Sequence, residues 1–271
     1  MIIYLLFIIL LIICIYKFYI IFRLNKYNKN YESFDNNDNN IDNNINNKYT
    51  AIIVEPRKHK ALEFVLDNFL TNLSDEWNIV ICHGTNNEDF IKDIIKDKLS
   101  KYASRIKLIN LNVDNLTIKD YNNLLVSEKF HSYISTEIFL VFQTDTMICP
   151  EYKSYINDFL KYDYVGAPWK HLNNTIGNGG LSLRRKSKML EIIKKCPYNE
   201  MLNEDLFFTK ECPEIDRYFP KWEDAKHFST ETIYEDKSFG LHQLWQNLGN
   251  KIDKKLPFCK GLDTLMELND K

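Results

Sequence analysis

The chain reads as an α/β domain built on a mainly parallel central sheet, and three features of the sequence predict it. Short aliphatic runs alternate with helical apolar stripes between residues 49 and 142. These runs are continuously apolar, the pattern of strands covered on both faces. Polar residues gather where each run stops.

The first run, Thr50 to Val54, ends at Glu55-Pro56-Arg57 and predicts a buried strand. Leu62, Val65, Leu66, Phe69, Leu70 and Leu73 then recur at helical spacing. Trp77 to Cys82 is a second strand, stopped by the loop signal His83-Gly84-Thr85-Asn86-Asn87. Ile91, Ile94, Ile95 and Leu99 mark another helix, Ile106 to Leu111 a third strand, and Tyr121 to Tyr133 a helix. Ile138 to Phe142 is a fully apolar fourth strand running into Gln143-Thr144-Asp145-Thr146. The second half is less regular, with a strand at Tyr164 to Gly166, a glycine-rich segment at Gly177 to Gly180, and a helix over Lys186 to Lys195.

The N-terminus has a different character. Ile2 to Phe22 is apolar or aromatic except for Lys17, and its length matches a bilayer-spanning helix. Arg23, Lys26 and Lys29 follow it, so the charge rule keeps the remainder of the chain in the cytoplasm. Eleven asparagines between Asn25 and Asn47 give a segment too poor in apolar residues to fold alone. The expected organisation is therefore a transmembrane anchor (1–24), an Asn-rich tether (25–48) and one domain (49–271). The cysteines outside the anchor, Cys82, Cys149, Cys196, Cys212 and Cys259, are odd in number and form no Cys-x-x-Cys pair. They are expected to be reduced, mostly buried thiols.

The charge balance, 35 basic against 37 acidic residues, argues against nucleic acid as a partner. No Gly-x-Ser-x-Gly or His-Glu-x-x-His sequence occurs, which leaves serine-hydrolase and zincin chemistry without support. In open α/β sheets ligands bind beyond the carboxyl ends of the strands. Glu55 and Arg57, His83 and Asn86, and Gln143 and Asp145 occupy those ends, which predicts a polar-ligand site along one sheet edge. Asp145 either caps its turn or offers a hard oxygen to a divalent cation such as Mn²⁺ or Mg²⁺. Gly177-Asn178-Gly179-Gly180 lets backbone approach a ligand. Arg184, Arg185, Lys186 and Lys188 read as a solvated charge run. Asn203 is a candidate N-cap ahead of Glu204 and Asp205, whose carboxylates suit the first helical turn and general-base chemistry alike. His242 follows a glycine near the C-terminus, either as a structural histidine or as a metal ligand.

In order, the stretches 53–57, 81–84, 142–145, 162–169, 177–185 and 203–208 resemble a glycosyltransferase-like family with a GT-A fold. The second half is also similar to metal-dependent β-1,3-galactosyltransferases, in Gly179-Gly180-Leu181-Ser182 followed by Glu204-Asp205. The resemblance implies a single GT-A-like, Rossmann-like domain that transfers a sugar from a nucleotide-sugar donor to a hydroxyl on a glycan, protein or lipid. It also implies a luminal ER or Golgi setting, against the charge rule. Asp145, with His242 as a late ligand, would hold Mn²⁺ or Mg²⁺. Gln143 replaces the first carboxylate of the Asp-x-Asp motif such enzymes carry. Asp205 would be the base of an inverting reaction and Glu204 would orient substrate. Glu55, Arg57, His83, Gly84, Gln143, Trp169, Asn178, Gly179 and Gly180 would contact substrate. The alternative is a non-catalytic nucleotide- or carbohydrate-binding module.

Overall fold

The computed structural model describes residue 17 and residues 47–170, 176–249 and 252–270. Six strands form the main sheet in the order β3-β2-β1-β4-β7-β6. These are β1 (Tyr49–Val54), β2 (Trp77–His83), β3 (Ile106–Asn110), β4 (Ile138–Phe142), β6 (Tyr164–Gly166) and β7 (Ser182–Arg185). The first four are parallel, with Tyr49 opposite both Trp77 and Ile138. Both β4 and β6 run antiparallel to β7.

Alternation along β1 feeds two cores. Ala51 and Ile53 face one side with Leu62, Val65, Leu66 and Phe69 of helix α1 (Leu62–Asn72), whereas Ile52 and Val54 face the other. Phe69 stacks on Phe142 of β4 at 4.0 Å between ring centroids. The second core gathers Leu125, Phe130, Met189, Ile192, Phe207 and Phe208. Burial on both faces is why β1, β2 and β4 lack the polar alternation of a half-exposed strand.

Helix α2 (Glu88–Asp97) follows β2, as expected. The single helix expected over 121–133 is two: α3 (Ile118–Leu125), opened by a Thr117–Asp120 capping box, and α4 (Glu128–Ser132), capped by Ser127. Each cap satisfies orphan N–H groups, so each begins its own helix. Helices α5 (Lys186–Lys195) and α6 (Glu204–Lys210) complete the second face, and α7 (Leu262–Asn269) closes the domain.

A second sheet, not anticipated, has the order β5-β9-β8 from β5 (Thr146–Ile148), β8 (Ser229–Thr230) and β9 (Gly240–His242). Its register sets Thr146 opposite His242, and Thr230 opposite Leu241.

Two expectations need correction. The cysteines are not all thiols, because Cys149 is bonded to Cys259 and Cys196 to Cys212, leaving Cys82 buried and free. Pairs 110 and 16 residues apart leave no spacing signature to read. The expected single-pass membrane localisation is also not supported: among the described residues no helix is long and apolar enough to cross a membrane. The segment 2–22, and all but the last two residues of the expected tether, fall outside the described residues, Lys17 excepted.

Candidate functional site

The carboxyl ends of β1 and β4 open into a pocket of about 460 Å³. Its walls are Glu55 and Arg57 after β1, the start of α3, Gln143 to Asp145 after β4, Asn178 to Gly180, Asn203 to Asp205, and His242 with Gln243. Ten of the thirteen expected residues therefore share one cavity. His83, Gly84 and Trp169 are not among its lining. His83 is buried and bonds through Nδ1 to the Gly84 carbonyl at 2.8 Å. Gly84 packs so closely that a Cβ would lie 2.5 Å from the Val113 carbonyl oxygen. Trp169 is buried beside Gly177.

At the first wall Glu55 takes three bonds from Arg57: its N–H at 2.9 Å, Nε at 2.8 Å and Nη2 at 2.8 Å. Asn87, fully buried, locks this corner by donating to the carbonyls of Glu55 and Arg57 and accepting from Gly84 N–H. Its neighbour Asn86 bonds Asp114 on the outside instead.

Asp145 and His242 form the second wall, backed by Glu231 behind the lining, so that one of the three lies at an end of each strand of the small sheet. His242 Nε2 lies 3.4 Å from Asp145 Oδ1, and its Nδ1 lies 3.4 Å from Glu231 Oε1. Gln243 Nε2 approaches His242 Nε2 to 3.1 Å. Asp145 Oδ1, His242 Nδ1 and Glu231 Oε2 are buried and make no hydrogen bond among the described residues. Burial pulls the imidazole pKa down, but the Asp145 and Glu231 carboxylates outweigh it and lift His242 to about 10. Burial likewise favours the neutral Asp145 carboxyl, yet the histidine holds it below its ordinary value.

The space that a Cβ would fill at Gly180 is taken by the protein itself, since His242 Nε2 would sit 2.3 Å away. At Gly179 the obstacle is Glu204 Oε1, again at 2.3 Å. These glycines admit the site's own side chains.

The third wall corrects the reading of Arg184 as solvated. Its guanidinium is fully buried and grips Glu204 in a bidentate pair, Nη1 to Oε2 at 2.6 Å and Nη2 to Oε1 at 2.8 Å. It lies over the Tyr164 and Phe208 rings, with Nε donating to Ser182 Oγ. Asn203 makes no side-chain cap to α6. Asn122 does that work from α3, its Oδ1 accepting the Glu204 N–H at 3.0 Å. Asp205 accepts from Gly179 N–H at 3.1 Å and from Leu206 N–H at 2.8 Å. Burial and the Glu204 carboxylate raise Asp205 to about 7, against those N–H groups and Arg184.

Gln143 stands where the resemblance expects a carboxylate, and its amide donates to Tyr121 Oη at 2.9 Å. Asn87, Tyr121, Asn122, Arg184 and Glu231 are the site residues that sequence reasoning missed. None of these carried a clear signal: Arg184 sits in Ser182-Leu183-Arg184-Arg185, where the next residue is also basic.

Chemically, an Asp145 oxygen 3.4 Å from a histidine nitrogen, the oxygen unbonded, suits two neighbouring ligands of a hard divalent cation. The residues present fit such an ion. Asp205, ionising near neutrality, suits general-base work.

No curated protein matches the chain. Solved structures similar to it include HddC from Yersinia pseudotuberculosis, at 16% identity over 63% of this chain and 88% of that one, with a TM-score of 0.41. The apo form of the glycosyltransferase GlyE from Streptococcus pneumoniae TIGR4 is 8% identical over 82% of this chain and 60% of that one, with a TM-score of 0.49. The mannosyltransferase PcManGT from Pyrobaculum calidifontis, in complex with GDP-Man and Mn²⁺, is 11% identical over 58% of this chain and 49% of that one, with a TM-score of 0.43. A family model matches residues 105–242, just over half of the sequence and all of the pocket lining except Val54 to Arg57 and Gln243. The chain belongs to that family, described as a protein of unknown function (DUF5672).

Proposed function

We propose that the protein is a glycosyltransferase that moves a sugar from a nucleotide-sugar donor to a hydroxyl acceptor, assisted by a divalent cation. The observation that carries this reading is that Asp145 with His242, and Asp205, line one pocket beyond the parallel strand ends.

Charge accounting supports the cation. Arg57 is committed to Glu55, and Arg184 to Glu204. His242 is flanked by two carboxylates. Among the described residues no unpaired basic side chain lines the pocket, so a diphosphate would meet net negative charge there. Asp145 Oδ1 and His242 Nε2 would hold Mn²⁺ or Mg²⁺, which when bound neutralises charge on the departing diphosphate. Binding the ion requires His242 to give up its Nε2 proton. The acceptor oxygen then bonds to the anomeric carbon as the bond from that carbon to the diphosphate oxygen breaks. For an inverting reaction Asp205 accepts the hydroxyl proton. The Gly179 and Leu206 N–H groups orient its carboxylate. Glu204, spent on Arg184, keeps that carboxylate's proton affinity high.

The test is sugar transfer across a panel of nucleotide-sugar donors, with calorimetry of nucleoside diphosphates with and without Mn²⁺. Asp205→Asn is expected to keep nucleotide affinity while turnover falls by about 10²–10⁴-fold. Asp145→Asn is expected to lose the Mn²⁺-dependent part of nucleotide binding. The wild-type rate should climb as pH rises through about 7, because the base works only when ionised. Full turnover in a folded Asp205→Asn protein would remove that residue from the mechanism. A second reading, a non-catalytic binding module, draws on Gln143, an amide tied to Tyr121 where a metal-binding carboxylate is expected. Nucleotide binding without turnover of any donor would favour it.

A further inference from the structure

We infer that Glu231 is a positioning residue for the cation site: it holds the Nδ1 side of His242 so that Nε2 faces Asp145 and the pocket. This rests on the cation reading proposed above and extends it to a residue that does not line the cavity.

The placement begins in the small sheet. The β8–β9 pairing sets Ser229 opposite Gly240 and Thr230 opposite Leu241, so the next step brings Glu231 alongside His242. On the other side β5 sets Thr146 opposite His242, which places Asp145 at the end of that strand. Three strands thus deliver three titratable groups in a row, with the imidazole between two carboxylates at 3.4 Å each. Every neighbour fixes this row. Asn178 Nδ2 donates to Glu231 Oε1 at 3.0 Å, and its Oδ1 accepts the Gly180 N–H at 2.9 Å. Gly180 in turn leaves room for the imidazole. Behind Glu231, the buried Lys255 ammonium binds the carbonyls of Glu235 and Asp236 and Ser238 Oγ, which pins the loop that Glu231 opens.

A structural role alone explains this arrangement poorly. Glu231 is a nearly buried carboxylate with one oxygen unbonded, beside a buried imidazole nitrogen that is also unbonded. Such a pair is costly unless the two groups serve each other. At 3.4 Å they form an ion pair, and a contraction of about 0.5 Å makes a charge-assisted hydrogen bond. A histidine that offers one nitrogen to a metal characteristically donates its other N–H to a carboxylate, which sets ring orientation and basicity. Glu231 stands at that nitrogen.

The experiment uses the full chain and Mn²⁺ alone as the probe, titrated by calorimetry into wild type, Glu231→Gln, Glu231→Asp and Asp145→Asn, with ¹⁵N-histidine spectra recorded without metal. Glu231→Gln is expected to weaken Mn²⁺ by about 10–100-fold, with Glu231→Asp regaining part of the loss. In the metal-free spectra the His242 Nδ1 proton should be downfield and exchange-protected in wild type and lose both properties in Glu231→Gln. A Glu231→Gln protein with wild-type Mn²⁺ affinity and an unchanged His242 signal overturns the inference. Failure of the wild type to bind Mn²⁺ overturns the cation reading instead. In that case the metal-free spectra alone decide whether Glu231 governs the ring.

Discussion

Gly180 shares the tightest clearance in the pocket with Gly179. Its missing Cβ is the clearance for the His242 ring, three of whose atoms would lie within 2.5 Å of an added methyl. The ring is buried and held from both sides, so it has no easy retreat. Gly180→Ala is therefore expected to rotate or displace His242, at an overpacking cost of about 1–3 kcal/mol. The readout is twofold: a lower melting temperature, and Mn²⁺ affinity reduced at least tenfold. A variant that binds Mn²⁺ like wild type would show that the ring position is not what Gly180 protects. Asp205 shows the opposite economy, a carboxylate kept reactive by partial burial beside a second carboxylate rather than by a tight fit. The first effect depends on a residue far along the chain, His242, whereas the second comes from burial and from the adjacent Glu204, with Gly179 and Arg184 opposing it.

At the level of elements, β7 and α6 are joined by the buried Arg184–Glu204 pair, which also anchors the base-bearing turn. Removing one member of such a pair strands a charge and costs about 3–5 kcal/mol, while replacing both by apolar residues of similar volume is near neutral. Arg184→Met is thus expected to lower the urea-unfolding free energy by that amount, and Arg184→Met with Glu204→Leu to recover most of it. Equal losses in the single and double variants would mean that the pair does not act as a unit. The same elements mark where the sequence was legible. Strands β1, β2 and β4 are buried on both faces, so composition alone announces them, and the polar residues after β1 and β4 line the pocket. The small sheet was invisible, because strands of two or three residues carry no period. Glu231 lay hidden with it, in the polar run Ser229-Thr230-Glu231-Thr232. Arg184 was misread since its partner is twenty residues away and its neighbours, Arg185 and Lys186, are basic. His83, at a strand end like Glu55, turned into the β2 exit loop rather than the cavity.

For the whole molecule, the C-terminal segment adds no residue to the pocket lining yet supports two of its walls from behind. Asn269 of α7 donates to the Thr144 carbonyl beside Asp145, and Lys255 fixes the loop that follows Glu231. Cys259 is bonded to Cys149, just past β5, so the segment is fastened to the strand that carries Asp145. That bond spans 110 residues and encloses the Cys196–Cys212 bond, which spans 16. If the bonds act by restricting the unfolded chain, closing the longer loop contributes about 5 kcal/mol and the shorter about 3 kcal/mol. Replacing Cys149 and Cys259 together by Ala should therefore destabilise the protein more than replacing Cys196 and Cys212, by about 2 kcal/mol in urea unfolding under non-reducing conditions. The first variant should also bind Mn²⁺ more weakly, because the Thr144–Asp145 turn loses the segment that braces it, while the second should bind it unchanged. The reverse order of stabilities, or equal loss of Mn²⁺ binding in both, would separate the C-terminal segment from the site.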